Sequence, residues 1–140
     1  MSEKFSLTQK FYHYKEKQRS PQTKEEQRKL NAMLKKKERQ GGIVFGYHGT
    51  SATRAREIQQ NGFQDARCVE GGFGVYFWDD DYPNNALAPA RKKAEEDGDN
   101  QYAVIEARCT NARPDFLMGR PQWLVNSGNI EILDIQFYEK

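Results

Sequence analysis

The chain changes character at Gly41-Gly42, and that break constrains its architecture more than any other feature. Residues 1–40 hold 12 Lys/Arg against 5 Asp/Glu, a balance of +7, whereas residues 41–140 hold 10 against 15, a balance of −5. Apolar residues in the first stretch are sparse and helically spaced. Leu7, Phe11 and Tyr14 fit a short helix ending before Ser20-Pro21, since proline pushes the preceding residue out of the helical region. A second helix starts at a capping box of Thr23 and Glu26 and carries Leu30, Met33 and Leu34 on one stripe. It stops at the paired glycines, which tolerate the left-handed geometry of a helix end. Residues 1–40 therefore read as a basic helical arm lying on the body through that narrow stripe, and residues 41–140 as the body itself.

In the body, short apolar runs alternate with Gly, Pro, Asn and Asp clusters. Ile43 to His48 reads as a strand, Ser51 or Thr53 caps a helix carrying Ala55 and Ile58, and Asn61-Gly62 ends it. Phe73 to Trp78 is a second strand. A helix follows Pro83 with Ala86, Leu87, Ala90 and Ala94 facing inward. Tyr102 to Cys109, Trp123 to Val125 and Ile130 to Phe137 are strand-like, with turns at Asn111 to Pro114 and Ser127-Gly128-Asn129. Helices early and strands late predict an α+β fold rather than a parallel sheet. At 140 residues there is room for one core.

With 30% charged residues, no apolar run of membrane-spanning length and no secretory signal, the expected location is the cytoplasm, and no membrane partner is expected. Cys68 and Cys109 lack metal-site spacing and have no neighbouring histidine, so two buried reduced thiols are expected and no metal.

Two segments carry chemistry. Tyr47-His48-Gly49-Thr50-Ser51 stands where a strand meets a helix. Its glycine gives a planar ligand access to main-chain groups, and its imidazole is suited to a sugar hydroxyl. Gly71-Gly72-Phe73-Gly74-Val75-Tyr76-Phe77-Trp78 is a glycine-punctuated turn entering an aromatic strand. Alternation puts Tyr76 and Trp78 on one face, offering a stacking surface, and Val75 and Phe77 on the other.

His48-Gly49-Thr50, Gln60-Asn61-Gly62-Phe63, Gly72 to Phe77 and the Ala-rich helix, in that order and spacing, resemble the ADP-ribosyltransferases of the diphtheria-toxin and poly(ADP-ribose) polymerase type. The resemblance covers residues 43–137 and leaves the arm unexplained. It implies a split β-sheet core with helices, and mono-ADP-ribosyl transfer from NAD⁺ as substrate to a macromolecular acceptor. By the same resemblance His48 would bond the adenosine ribose, and Gly49 the nicotinamide carboxamide through its main chain. Tyr76 would stack on the nicotinamide ring, with Gly72 and Gly74 narrowing the loop and Thr50 or Ser51 adding a hydroxyl.

The chain departs from the family at the third motif, where a Glu is usual. The segment Pro121 to Asn126 offers Gln122, which holds a ribose hydroxyl but carries no charge to steady an oxocarbenium ion. Elongation into a polymer is therefore not expected. Glu131 and then Glu106 are rival carboxylates. The Ala-rich helix offers Leu87 and Ala90 where relatives often have a second Tyr, so either the nicotinamide ring is clamped from one side only or Tyr82 or Trp78 forms the opposite wall. Cover for the donor could come from the arm, its cations reaching the pyrophosphate.

The acceptor class, protein or RNA/DNA, stays open. The arm suits phosphates, an antitoxin or another acidic partner, or the acidic body itself. Asp79-Asp80-Asp81 reads as a solvated turn, with selection of basic acceptors as its functional alternative. By analogy alone, a compact single-transfer enzyme of this kind suggests a bacterial or phage toxin, delivered into a target cell's cytoplasm or made there. A non-catalytic NAD⁺- or ADP-ribose-binding module, an RNA-binding module on the same scaffold, and an NAD⁺ glycohydrolase are the alternatives. RNA phosphotransferases of similar fold use basic residues in place of the Tyr, so Tyr76 argues against them.

Overall fold

A computed structural model describes residues 23–68, 72–117 and 120–140. The helix expected around Leu7 to Tyr14, and Gly71 of the glycine turn, lie outside the described residues. The capping box forms as expected: Thr23 accepts from the Glu26 amide at 3.0 Å and opens α1 (Lys24–Arg39). After Gly41 and Gly42, both at positive φ, the chain enters β1 (Ile43–Ser51). Ser51, not Thr53, caps α2 (Ala52–Asn61), its hydroxyl accepting from the Arg54 amide at 3.2 Å. Then come β2 (Ala66–Cys68), β3 (Gly72–Asp79), a 3₁₀ turn over Pro83–Ala86 and α3 (Leu87–Asp97). Strands β4 (Gln101–Thr110), β5 (Arg113–Leu117), β6 (Arg120–Val125) and β7 (Ile130–Glu139) complete the chain, with a second 3₁₀ turn at Ser127–Asn129.

The fold is α+β. Six strands lie in the order β5-β6-β3-β1-β4-β7, β2 adds to β3, and every pairing is antiparallel. The expected turn at Asn111 to Pro114 forms at Asn111, which holds φ +51°, and Ala112, while Arg113 and Pro114 already belong to β5. Pro114 fits there because β5 is an edge strand, where a missing amide costs no ladder bond.

Both faces of the sheet are covered. Val44, Phe77, Cys109 and Trp123 are fully buried on one face with Met33 of α1, and Ala55 of α2 packs on Ala103 and Ile105 of that face. On the other face Trp78 and Val104 pack against Ala86, with Ala90 and Ala94 of α3 buried beside Tyr102. Trp78 is thus a core residue rather than half of an open stacking face.

The arm's helix is latched at one end of this sheet. The Lys36 ammonium reaches Asp79 at 2.9 Å and Asp81 at 3.2 Å and also bonds Asp80. Asp79, 3% exposed, further accepts from the Trp123 indole at 2.8 Å. Burial opposes the charge on both partners, but these bonds outweigh it, raising the Lys36 pKa and lowering that of Asp79. Asp79 is therefore a buried lysine partner within the fold, while Asp80 and Asp81 lie in the turn expected there, Asp81 exposed, and add to the same ammonium. Cys109 is buried and unpaired, its thiol pushed up to about 12 by desolvation; the side chain of Cys68 lies outside the described residues.

Candidate functional site

The site arises where two neighbouring strands part. Strand β1 pairs with β4 along its whole length, from Ile43↔Thr110 to Ser51↔Tyr102. Its pairing with β3 on the other side covers only Gly46↔Asp79 and Tyr47↔Trp78. Beyond Tyr47 the strands diverge, while β3 stays on β6 through Val75↔Val125. A groove of about 630 Å³ opens at this divergence, within the size range of small-ligand clefts. His48 and Thr50 line it from β1, and Gly74, Val75 and Tyr76 from β3. Ile58 and Phe63 close it on the α2 side.

His48 bridges the split. Its Nδ1 lies 2.8 Å from the Tyr76 carbonyl, which can only accept, so Nδ1 carries the hydrogen and Nε2 is the acceptor. The ring is wedged against Phe63, edge-on at 5.3 Å, and Phe77 at 5.6 Å. Burial first, then the positive charge of Lys93, drives the His48 pKa down to about 3; the Tyr76 carbonyl opposes this, and Arg54 adds to the lowering. His48 is therefore a neutral hydrogen-bonding group at physiological pH, well matched to a hydroxyl and poorly matched to an anion.

Tyr76 is held from its far end. Its hydroxyl donates to Asp115 Oδ2 at 2.9 Å, and Asp115 is buried on β5 in register with Gln122 of β6. Gly74 holds φ +148°, and a Cβ there would lie 2.9 Å from Leu124 Cδ1, so the loop side of the groove requires glycine.

Other expected residues sit elsewhere. Gln122 is 4% exposed and faces Trp78 across the β6–β3 register; it does not line the groove. Ser51 is fully buried, capping α2 and donating to Asp97 Oδ2 at 2.5 Å. Tyr82 is 44% exposed in the turn after β3, away from the groove. Gly49 is needed for packing: a Cβ there would lie 2.0 Å from the Ala86 carbonyl oxygen. Its own carbonyl accepts from the Lys93 ammonium at 3.0 Å. Leu87 packs with Trp78 and Tyr102, and Ala90 is buried. The rival carboxylates lie apart from the groove too. Glu106 accepts from the Tyr47 hydroxyl at 2.8 Å, raising the Tyr47 pKa to about 12, and Glu131 is exposed on β7 opposite Arg108.

Among the residues at or beside the groove that were not anticipated are Arg54 and Lys93, which line it, and Asp115 behind Tyr76. Lys93 had a signal, a lysine on the helix face that carries the inward alanines Ala86, Ala90 and Ala94. Asp115 had none. None of the described arm residues lines the groove, since α1 packs near Asp79 to Asp81 and Ala112, away from the diverging strand ends. Compared with known proteins, the chain matches no family model and no curated protein.

Proposed function

We propose that this protein binds NAD⁺ in the groove between β1 and β3 and transfers a single ADP-ribose unit to a macromolecular acceptor. One observation carries this: His48 and Tyr76, from two sequence motifs, line the same groove at the point where their strands separate. A donor spanning it would meet the neutral His48 Nε2 with a ribose hydroxyl and the Tyr76 side with its nicotinamide. Nicotinamide in NAD⁺ is a cationic leaving group, so cleavage of its bond to the ribose carbon needs no acid. The departing ring takes the bonding pair and becomes neutral, and the acceptor's nucleophile bonds to the same carbon and loses a proton. The groove's task is to fix donor geometry and shield that carbon. A neutral histidine and an anchored tyrosine suit the task.

Incubation with NAD⁺ labelled in the adenine ring and a cell lysate, followed by protease or nuclease digestion, tests this directly. Label should become bound to one polymer class in proportion to nicotinamide released. Nicotinamide release without bound label would make the protein a glycohydrolase. The same groove also supports a second reading, a non-catalytic NAD⁺- or ADP-ribose-binding module, favoured by the absence of Gln122 from the lining. Tight NAD⁺ binding with no nicotinamide release would establish that alternative.

A further inference from the structure

The groove contains a cation that its surroundings leave unneutralised. Lys93 projects from α3 beside β1, half-buried, and its ammonium donates to the Gly49 carbonyl at 3.0 Å. Among the described residues it has no other hydrogen bond and no carboxylate within 4.0 Å. An ammonium has three donors, and here one is used. Burial, reinforced by the Arg54 guanidinium, holds its pKa below the usual lysine value, although Glu96 and Asp97 pull the other way. A partly desolvated charge without a counter-ion is costly to keep.

The neighbouring charges do not remove that cost. Arg54 also lines the groove, but its guanidinium is committed to Asp97 by bonds of 2.7 and 2.9 Å. Glu57, the one carboxylate among the described lining residues, is exposed and makes no ion pair with Lys93. Fixed on Gly49, the Lys93 ammonium stands just beyond His48 on β1, across the split from Tyr76. It lines the same groove as His48 and Tyr76, the two residues proposed to contact the dinucleotide.

We infer that Lys93 is an anion receptor and grips the diphosphate of the dinucleotide in the groove, with Arg54 alongside it. The ammonium suits phosphate as a compact point charge, and the Gly49 carbonyl pre-orients it. This deepens the NAD⁺ reading and depends on it for the ligand's identity. It assigns the diphosphate to residues of the body, where the sequence alone had suggested the arm.

Calorimetric titration of the full chain with ADP-ribose, inorganic pyrophosphate and adenosine is the test, comparing wild type with Lys93→Met and Lys93→Arg. Loss of one charge-assisted contact should weaken ADP-ribose and pyrophosphate by about tenfold or more in Lys93→Met. Adenosine affinity should be unchanged, and Lys93→Arg should stay within about threefold of wild type, which guards against a folding artefact. Equal ADP-ribose affinity in wild type and Lys93→Met overturns the inference, as does a wild type that binds neither phosphate-bearing probe. The two proposals fail separately. Lys93-dependent binding without nicotinamide release leaves the anion site standing and removes the transferase, whereas NAD⁺ cleavage with an unchanged KM in Lys93→Met does the reverse.

Discussion

The Tyr76 hydroxyl donates to the buried Asp115 carboxylate at 2.9 Å, tying the residue that lines the groove on β3 to a strand 39 positions further along the chain. The ring is thereby oriented before any ligand arrives. Tyr76→Phe keeps the ring and loses the tether, so NAD⁺ turnover should fall by less than about tenfold and stability by about 1 kcal/mol. Tyr76→Ala removes the wall and should cost at least about a hundredfold in kcat/KM, since misplacing a reacting group costs that much. Equal kinetics for the two variants in a nicotinamide-release assay would show that the ring takes no part.

His48 makes the fold sensitive to acid. Its pKa is about 3 in the folded chain against 6.5 for the free side chain, so the unfolded chain binds a proton first as pH falls. The histidine's contribution to stability is full above pH 6.5 and is lost progressively as pH drops toward 3. Denaturant melts should show stability declining by up to about 1.4 kcal/mol per pH unit from this group. In His48→Gln, which has no titrating ring, that share of the slope should vanish between pH 6 and 4. A variant with the wild-type slope would assign the acid sensitivity to other groups.

How far these features could be read in advance depended on how local their causes are. The caps at Thr23 and Ser51, the glycine stop at Gly41-Gly42 and the inward alanines of α3 are set within a few residues, and each forms as the sequence indicates. Strand β5 was hidden because Pro114 and its polar neighbours imitate a turn, and only an edge position reconciles them with a ladder. Period-two alternation identified the two faces of β3, but not that helices would cover both, burying Trp78. The convergence of His48 and Tyr76 was legible through their motifs. The tether at Asp115, the Lys93 ammonium on Gly49 and the retreat of Gln122 from the groove depend on register between distant strands, which no short window of sequence records.

Gly49 illustrates a residue whose type is explained differently once its neighbours are known. A methyl group there meets the Ala86 carbonyl oxygen at 2.0 Å and the Ala90 methyl at 3.0 Å, so the first turn of α3 would have to move off β1. Gly49→Ala should destabilise the fold by about 3 kcal/mol, at the upper end of overpacking costs. Gly128→Ala, where nothing lies within 4 Å, should change stability by less than about 0.5 kcal/mol. Thermal melts of the pair distinguish a packing role from a ligand-access role. If Gly49→Ala melts like wild type and yet fails to bind NAD⁺, the glycine serves the ligand and not the helix.

The Lys36 latch separates the arm's structural role from the groove's chemistry. The lysine side chain is 14% exposed and that of Asp79 4%, so removing the ammonium leaves a buried carboxylate with only its Trp123 and backbone donors. Breaking such a pair costs more than losing a surface ion pair, and Lys36→Met should destabilise the protein by about 2 to 3 kcal/mol. Hydrogen exchange should quicken first in α1, because Met33 is its one buried apolar anchor. The latch meets β1 opposite Gly46, whereas the groove opens beyond Tyr47 and is lined by none of the described α1 residues, so affinity for ADP-ribose should stay within about twofold of wild type, as expected of sites that share no partner. A large loss of ADP-ribose affinity in a folded Lys36→Met protein would mean that the basic helix reaches the ligand after all, through a conformation other than the one in which it is latched to Asp79.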